Sequence, residues 1–238
     1  MNVGDKGAAA AAAGTSANAA LHRPDYQTFG REQAERFNRT AKSRPLVYSR
    51  LAEYLVKRFN LTERAGIGID IGGGPGDLVL DLAARTKQFY WVNTDINTWY
   101  AAPFYADAGK RNLAQRTGFV FADAGDLPFS DHYADLVVSR GSYQFWGDLE
   151  VGLREVHRVL RPGGEAFIGR GFPPTMPEDE ARTLRRSGAT GGPKYDPDAD
   201  ATRFETIVRK LHPADYEVIR HRPSDPQLNY GVWLRFRK

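Results

Sequence analysis

The chain has 238 residues, with 33 Lys and Arg against 29 Asp and Glu, and its formal net charge is +4. This length suits one α/β domain. It contains no cysteine, which excludes disulfides, iron–sulfur clusters, cysteine-bound zinc and a thiolate nucleophile. The five histidines lack metal-ligand spacing, and no run reaches the ~18 apolar residues that span a bilayer. We therefore expect neither a metal site nor a membrane span.

The N-terminal part of the chain divides into a tail and a helical arm. Residues 1–20 have almost nothing to bury, which predicts a disordered tail. They lack the basic start and Leu-rich core of a signal peptide, so the sequence predicts a cytoplasmic protein. Residues 21–62 predict an N-terminal helical arm or cap. Proline is tolerated at the first helical position, so Pro45 should begin a helix, whose apolar stripe is Val47, Leu51, Leu55 and Phe59.

From residue 63 to residue 238, short apolar runs alternate with helical patterns. Strands are predicted at 66–71, 89–94, 119–122, 135–139, 165–170, 216–221 and 230–236. A clear amphipathic helix should end at the turn 161–164, and another helix includes Phe204. Alternating strands and helices predict an α/β fold whose parallel sheet is covered on both faces. Residues 173–200 contain five of the fourteen prolines and predict an irregular insert, with a possible short lid helix.

The most informative segment is IDIGGGPGDL at 69–78, between a strand and a helix. Glycine permits positive φ and leaves backbone amides open to a ligand. A dinucleotide loop needs glycine where Asp77 stands, which disfavours an NAD-type oxidoreductase, and the Gly-Lys-Ser/Thr of a phosphate-binding P-loop is missing. Asp70, at the end of the strand, favours a ligand that carries a cationic amine.

The spacing Asp70-x-Gly72-x-Gly74-x-Gly76 resembles motif I of the class I S-adenosylmethionine-dependent methyltransferases. Further landmarks of that family follow in order as far as residue 172: Asp95, Asp123-Ala124, DLPF at 126–129, DLVVS at 135–139 and REVHRVLRPGGEAFI at 154–168. The resemblance implies a Rossmann-like, doubly wound, seven-stranded mixed sheet with helices on both faces and the last strand inserted antiparallel. It also implies S-adenosylmethionine as the cofactor.

The resemblance implies a role for particular residues. Asp95 would bind the ribose hydroxyls, because one carboxylate can accept two O–H bonds. Asp123 would accept from the adenine amino group, while the adjacent backbone N–H serves a ring nitrogen. The full set of implied cofactor-binding residues is Asp70, Gly72, Gly73, Gly74, Gly76, Asp95, Ile96, Asp123, Ala124, Ser139 and Arg140.

The methyl acceptor is expected beyond the fourth and fifth strands, beside SRGSYQFW at 139–146. No proline follows the fourth strand, which disfavours the Asn/Asp-Pro-Pro-Tyr type that methylates base amines or protein amides. The predicted substrate-binding residues are Tyr48, Ser142, Tyr143 and Trp146. For Phe145, packing on the next helix is favoured over a pocket role. For Arg140 three partners stay open: an acidic acceptor, the cofactor carboxylate or an acidic side chain at the surface. Tyr26 and Tyr48, in the N-terminal arm, could close over the cofactor.

The sequence therefore predicts methyl transfer to an O, N or S atom of a small molecule. One alternative is an RNA or protein methyltransferase that uses the basic C-terminal residues, although four excess charges argue against a nucleic-acid partner. A second alternative is a non-catalytic module that binds S-adenosylmethionine. No catalytic base is identified, since His157 falls within a helix between apolar residues. The acceptor and the oligomeric state are not given by the sequence.

Overall fold

The computed structural model describes residues 30–186, 195–225 and 228–238. The predicted tail at 1–20 and Tyr26 lie outside the described residues. Within the described residues, no helix is long and apolar enough to cross a membrane.

A single sheet of seven strands forms the centre of the fold, in the order β3-β2-β1-β4-β5-β7-β6. The strands are β1 (Gly66–Ile71), β2 (Phe89–Asp95), β3 (Thr117–Phe121), β4 (Ala134–Arg140), β5 (Leu160–Gly171), β6 (Asp215–Ile219) and β7 (Gly231–Arg237). The first five strands are parallel, and β7 pairs antiparallel with both β5 and β6. The predicted seven-stranded mixed sheet with an antiparallel last strand is confirmed.

Helices cover both faces of this sheet, as predicted. They are α1 (Arg31–Lys42), α2 (Pro45–Arg58), α3 (Asp77–Arg85), α4 (Ala101–Lys110), α5 (Leu149–Val159), α6 (Glu178–Arg186) and α7 (Pro197–Lys210). Successive residues of a strand point to opposite faces, so Leu136 packs with α2, α3 and α4 while Val137 packs with α5 and α7. The strand order reverses between β1 and β4, which places a crevice at their carboxyl ends.

The N-terminal arm consists of two helices. Pro45 begins α2, and the four residues of the predicted apolar stripe are all buried. The polar helix α1 is tied to the domain by Lys42, whose Nζ lies 2.9 Å from Asp77 Oδ1 and 2.7 Å from Asp107 Oδ2. Because Asp77 begins α3 and Asp107 belongs to α4, this one lysine fixes the end of α1 beside the glycine loop.

Most predicted strand ends lie within two residues of the observed ones, but two predicted segments differ by more. The turn expected at 161–164 lies inside β5, which begins at Leu160 because that residue already pairs with Ala134. A register shift then accommodates the turn before Glu165 pairs with Leu136. The insert at 173–200 is not irregular throughout, since it contains α6 and the first turn of α7. Residues 187–194 lie outside the described part.

Candidate functional site

The glycine loop joins the end of β1 to the start of α3. Gly72, Gly74 and Gly76 have φ of +65°, +56° and +83°, a region that side chains disfavour. A Cβ on Gly76 would lie 2.3 Å from Cδ2 of Phe104, so this position requires glycine for space as well. The loop is held to β2 by the Gly73 N–H, which donates to the Thr94 carbonyl at 3.0 Å. The loop geometry is therefore set by its own sequence and by the neighbouring strand.

Asp95 ends β2 directly beside this loop. Its Oδ2 accepts a hydrogen bond from the Gly74 N–H at 2.9 Å, and its Oδ1 accepts from the Asn97 N–H at 2.8 Å. Burial raises the pKa of Asp95 to about 6, although these backbone donors favour the charged form. The carboxylate is therefore fixed in orientation by backbone donors.

Asp70 lies behind the loop rather than on a pocket wall. It is 2% exposed, and its Oδ1 has no hydrogen-bond partner among the described residues. A Cβ on Gly73 would lie 2.7 Å from Asp70 Oδ2 and 2.0 Å from Asn93 Oδ1, so both side chains press on the loop from below. Burial, followed by the charge of Asp95, raises the pKa of Asp70 well above its usual range. The structure therefore places Asp70 to support the loop.

A partly open pocket lies above the carboxyl ends of the parallel strands. It holds about 850 Å³ of empty space, including its open mouth. Its walls are Gln33, Phe37, Ile71, Gly72, Asp95, Ile96, Asn97, Tyr100, Ala122, Asp123, Ala124, Gly141, Ser142, Phe145, Trp146 and Gly147. Most of this lining is apolar, with carboxylates at two positions, so the pocket suits a flat apolar ring attached to a polar group.

Asp123 and Ala124 form the pocket wall after β3. The Asp123 Oδ1 accepts from the Gly125 N–H at 2.9 Å, and the Asp126 N–H donates to the Asp123 carbonyl at 3.1 Å. These bonds close a tight turn in which Asp123 keeps a fixed position. Five of the predicted cofactor-binding residues thus line one pocket: Gly72, Asp95, Ile96, Asp123 and Ala124.

The loop after β4 is anchored by Ser142. Its hydroxyl lies 2.8 Å from the Ile71 carbonyl, 3.0 Å from Trp146 Nε1 and 2.6 Å from Ser139 Oγ. A hydroxyl has one proton and two lone pairs, so Ser142 donates to Ile71 and accepts from the other two. Its hydrogen-bonding capacity is filled. Ser142 itself lines the pocket, so its contact with the acceptor stays a prediction, while Ser139 supports this loop from the interior.

The aromatic residues of the same loop separate into two groups. Tyr143 is 2% exposed, packs on Phe204 and donates from its hydroxyl to Asp200, so it does not line the pocket as predicted. Trp146 does line it. Phe145 was expected to pack on the next helix, but it is 68% exposed at the pocket wall. The short 3₁₀ turn Tyr143–Phe145 explains this, since adjacent side chains of a turn point in different directions.

Arg140 and Tyr48 meet outside the pocket lining. The guanidinium of Arg140 stacks on the Tyr48 ring at 5.1 Å, and its NH2 donates to the Gly171 carbonyl at 3.4 Å. Arg140 forms no ion pair with an acidic side chain of the described residues, so the predicted alternative of a surface ion pair is not observed there. His157 packs on Phe236 at 6.3 Å, on the α5 face of the sheet.

The sequence analysis does not predict several residues that line the pocket. Gln33 and Phe37 of α1 line it, together with Asn97 and Tyr100 after β2. Phe37 is one of few apolar residues in a polar helix, and that isolation is the only signal the sequence offers. The arm therefore contributes through α1, whereas the prediction placed Tyr48 of α2 over the cofactor.

Comparisons with known proteins cover most of the residues that line this pocket. Residues 69–168 match the family model described as a methyltransferase domain. A putative S-adenosylmethionine-dependent methyltransferase from Methanococcus maripaludis superposes with a TM-score of 0.72 and 28% identity, covering 88% of this chain and 94% of that one. The match extends over nearly the whole of that protein.

Two curated relatives carry more specific names. The chain is 32% identical to a demethylmenaquinone methyltransferase of Mycolicibacterium paratuberculosis over 62% of this chain and 63% of the relative. It is 36% identical to a 2-methyl-6-phytyl-1,4-hydroquinone methyltransferase of Arabidopsis thaliana over 44% of this chain. That match spans only 30% of the plant protein's length.

Proposed function

We propose that the chain, as a class I S-adenosylmethionine-dependent methyltransferase, methylates an O, N or S atom of a small molecule. The observation that carries this proposal is the hydrogen bond between the glycine loop and the Asp95 carboxylate at the pocket wall. The names of the two curated relatives, which act on quinone-type molecules, support a small-molecule acceptor.

The residues of the pocket fit S-adenosylmethionine. A Cβ on Gly72 would lie 2.4 Å from the Ser142 Cβ, so the glycine loop and the loop after β4 can approach each other this closely only because residue 72 is glycine. Ile96 and Ala124 offer apolar surface for the adenine ring, and Asp95 and Asp123 would take the ribose hydroxyls and the adenine amino group. Gly74 and Gly76 would act by shaping the loop.

The amino-acid end of the cofactor requires opposite charges from the chain. We assign its ammonium to the side of Asp70, whose buried Oδ1 has no partner among the described residues. Because Asp70 lies behind the loop, it would act on the ammonium through the loop, and the ammonium would favour the ionised form of this carboxyl. Arg140, which the resemblance gave to the cofactor, stacks on Tyr48 outside the pocket lining, and we assign it to the side of the acceptor.

S-adenosylmethionine would supply a sulfonium-bound methyl group: the acceptor atom would bond to the methyl carbon in line as the carbon–sulfur bond breaks, and S-adenosylhomocysteine would leave. The chain's own contribution is alignment and exclusion of water, which can account for much of the barrier reduction. Phe37, Phe145 and Trp146 line the pocket and can enclose an apolar acceptor. A base is needed only if the acceptor must lose a proton. A cytoplasmic location stays a prediction.

Turnover tests this proposal. The full chain would be incubated with S-adenosylmethionine and a panel of phenols, hydroquinones, carboxylates, amines and thiols, and S-adenosylhomocysteine formation would be measured. We expect release with at least one small acceptor, and a lower rate in Trp146→Ala. Tight cofactor binding without turnover on any acceptor would contradict the proposal and favour a non-catalytic binding module. Turnover on RNA or protein alone would contradict the small-molecule acceptor.

A further inference from the structure

Four arginines from four different elements gather beyond the carboxyl ends of β4 and β5. Arg140 ends β4, and Arg170 lies one residue before the end of β5. Arg44 precedes the first residue of α2, and Arg185 lies in the last turn of α6. We call these four residues the arginine cluster. Arg140 reaches the Gly171 carbonyl and Arg185 lies over Phe172, so both meet at the end of β5 next to Arg170, and the charges of Arg44, Arg140 and Arg170 all act on Arg185.

The contacts of the cluster meet at the backbone just after Arg170. Arg140 donates to the Gly171 carbonyl at 3.4 Å, and the guanidinium of Arg185 lies 4.9 Å from the centre of the Phe172 ring. Arg185 also donates to the Asn229 carbonyl, on the segment that leads into β7. The cluster is therefore tied to the end of β5 rather than extended into solvent.

Three of the four guanidinium groups are stacked on aromatic rings. Arg140 lies 5.1 Å from the Tyr48 ring centre and Arg170 lies 4.3 Å from that of Tyr195, in addition to the contact of Arg185. Stacking fixes the plane of a guanidinium while its N–H groups stay directed outward at the edge. Such preoriented donors match the oxygens of a carboxylate or a phosphate.

No acidic side chain of the described residues forms an ion pair with the cluster, whereas nearby arginines are paired. Arg50 contacts Glu180 at 2.5 Å and Arg220 contacts Asp198 at 3.0 Å. The undescribed stretch 187–194, SGATGGPK, contains no Asp or Glu. Burial, together with the charges of the other three arginines, lowers the pKa of Arg185. Like charges held together in this way are relieved by an anion.

The position of the cluster relates it to the methyl-transfer site. Gly141 and Ser142, which directly follow Arg140, line the cofactor pocket. The cluster therefore begins where the pocket ends and continues toward β5. An acceptor that faces the pocket would extend over the cluster in that direction.

We infer that the methyl acceptor carries an anionic group, a carboxylate or a phosphate, that binds the arginine cluster while the atom to be methylated faces the pocket. This inference rests on the proposed function. A small anion fits better than a nucleic-acid strand, because Glu180 shares α6 with Arg185, and Asp200 accepts from Tyr143, which contacts the Tyr195 that Arg170 stacks on. A phosphate backbone crossing this surface would meet those carboxylates.

Calorimetric titration of the full chain tests the inference. Inorganic pyrophosphate and citrate serve as phosphate and carboxylate probes, with saturating S-adenosylhomocysteine present. We expect one site for at least one probe, with affinity reduced roughly tenfold or more in Arg170→Gln and in Arg185→Gln, the loss expected for a charge-assisted hydrogen bond. The matched control is Arg209→Gln, an exposed arginine paired only with Glu205 among the acidic groups of the described residues, which should leave probe binding unchanged.

The remaining arms separate failure of this inference from failure of the proposed function. The affinity for S-adenosylhomocysteine should be equal in wild type, Arg170→Gln and Arg185→Gln, which also shows that the variants fold. Failure of both probes to bind a protein that binds S-adenosylhomocysteine would overturn the anion site alone. Equal weakening in Arg209→Gln would also overturn it, as would a single-stranded RNA that binds through the cluster more tightly than either probe. Failure to bind S-adenosylhomocysteine would instead contradict the proposed function.

Discussion

The two halves of the site are held in place by different kinds of contact. On the side of β1 and β2, the carboxylate of Asp95 is hydrogen-bonded to backbone amides of its own and the neighbouring loop. On the side of β4 and β5, the arginine cluster has no acidic partner among the described residues, and its stacked members are oriented by aromatic rings. The first half is held in place by hydrogen bonds from the protein's own backbone. The second half requires an anion to balance it, and this difference separates the cofactor region from the region that selects the acceptor.

The largest effect should come from changing the backbone of the first half. Gly76→Ala places a Cβ at φ of +83° and 2.3 Å from Phe104. We expect a loss of about 2–4 kcal/mol in the free energy of unfolding, from left-handed strain plus overpacking. Denaturant unfolding measures it. The matched control is Gly109→Ala in α4, where a Cβ meets nothing within 4 Å, and which should be neutral or slightly stabilising.

The next effect concerns the charge in the first half. Asp95→Asn keeps the shape but cannot accept both backbone N–H bonds through two carboxylate oxygens, so we expect the affinity for S-adenosylhomocysteine to fall by about 1–3 kcal/mol. Calorimetry at pH 8 measures the loss. An unchanged affinity would show that Asp95 does not hold the cofactor.

The pH dependence of binding sharpens the same point. The pKa of Asp95 is raised from 3.8 to about 6, so the folded protein binds this proton more tightly than the unfolded chain. Its contribution to stability therefore falls as the pH rises from about 4 to 6. Cofactor affinity should change in the opposite sense, rising through pH 6 as the carboxylate ionises. A wild-type profile as flat as that of Asp95→Asn would contradict this assignment.

A smaller effect is expected in the second half. A Cβ on Gly152 of α5 would lie 2.4 Å from Trp146 Cε3, so Gly152→Ala should push Trp146 toward the pocket. The overpacking cost, about 1–3 kcal/mol, is offset by about 1 kcal/mol of helix propensity. The free energy of unfolding should therefore fall by about 0–2 kcal/mol, and the rate of methyl transfer should fall as well. Trp146 fluorescence and turnover measure the two effects, and normal turnover would show that this wall does not contact the acceptor.

The smallest effect should come from the arm that covers both halves. Lys42→Met removes both contacts of α1 with Asp77 and Asp107, and partly exposed ion pairs each contribute about 0.2–1 kcal/mol. We expect faster dissociation of S-adenosylhomocysteine in stopped-flow measurements. Lys110→Met, at a lysine that also pairs with Asp107 but is 75% exposed, is the control. Equal rates in both variants would show that α1 does not close the pocket.

The sequence predicted one half of the site better than the other for a physical reason. The glycine loop and Asp95 depend on backbone geometry within short segments, and such geometry leaves a spacing pattern in the chain. The arginine cluster joins α2, β4, β5 and α6, so its members are separated by many residues and share no pattern. Only the fold brings them together, and of the four the sequence predicts a site role for Arg140 alone.

The same distinction explains the individual errors. Strand positions followed from alternation, but the 3₁₀ turn Tyr143–Phe145 has no period that shows which ring is buried. Tyr143 was therefore placed in the pocket and Phe145 outside it, and the structure reverses them. The filled hydroxyl of Ser142 depends on Ile71 and Trp146, contacts that no local motif encodes.

The most direct test of the account is a calorimetric titration of the wild-type chain and Asp95→Asn with S-adenosylhomocysteine, with NADH titrated as a comparison. We expect one site in wild type, binding in Asp95→Asn that is weaker by about fivefold or more, and no binding of NADH. A folded wild-type protein that does not bind S-adenosylhomocysteine, or that binds NADH instead, would contradict it.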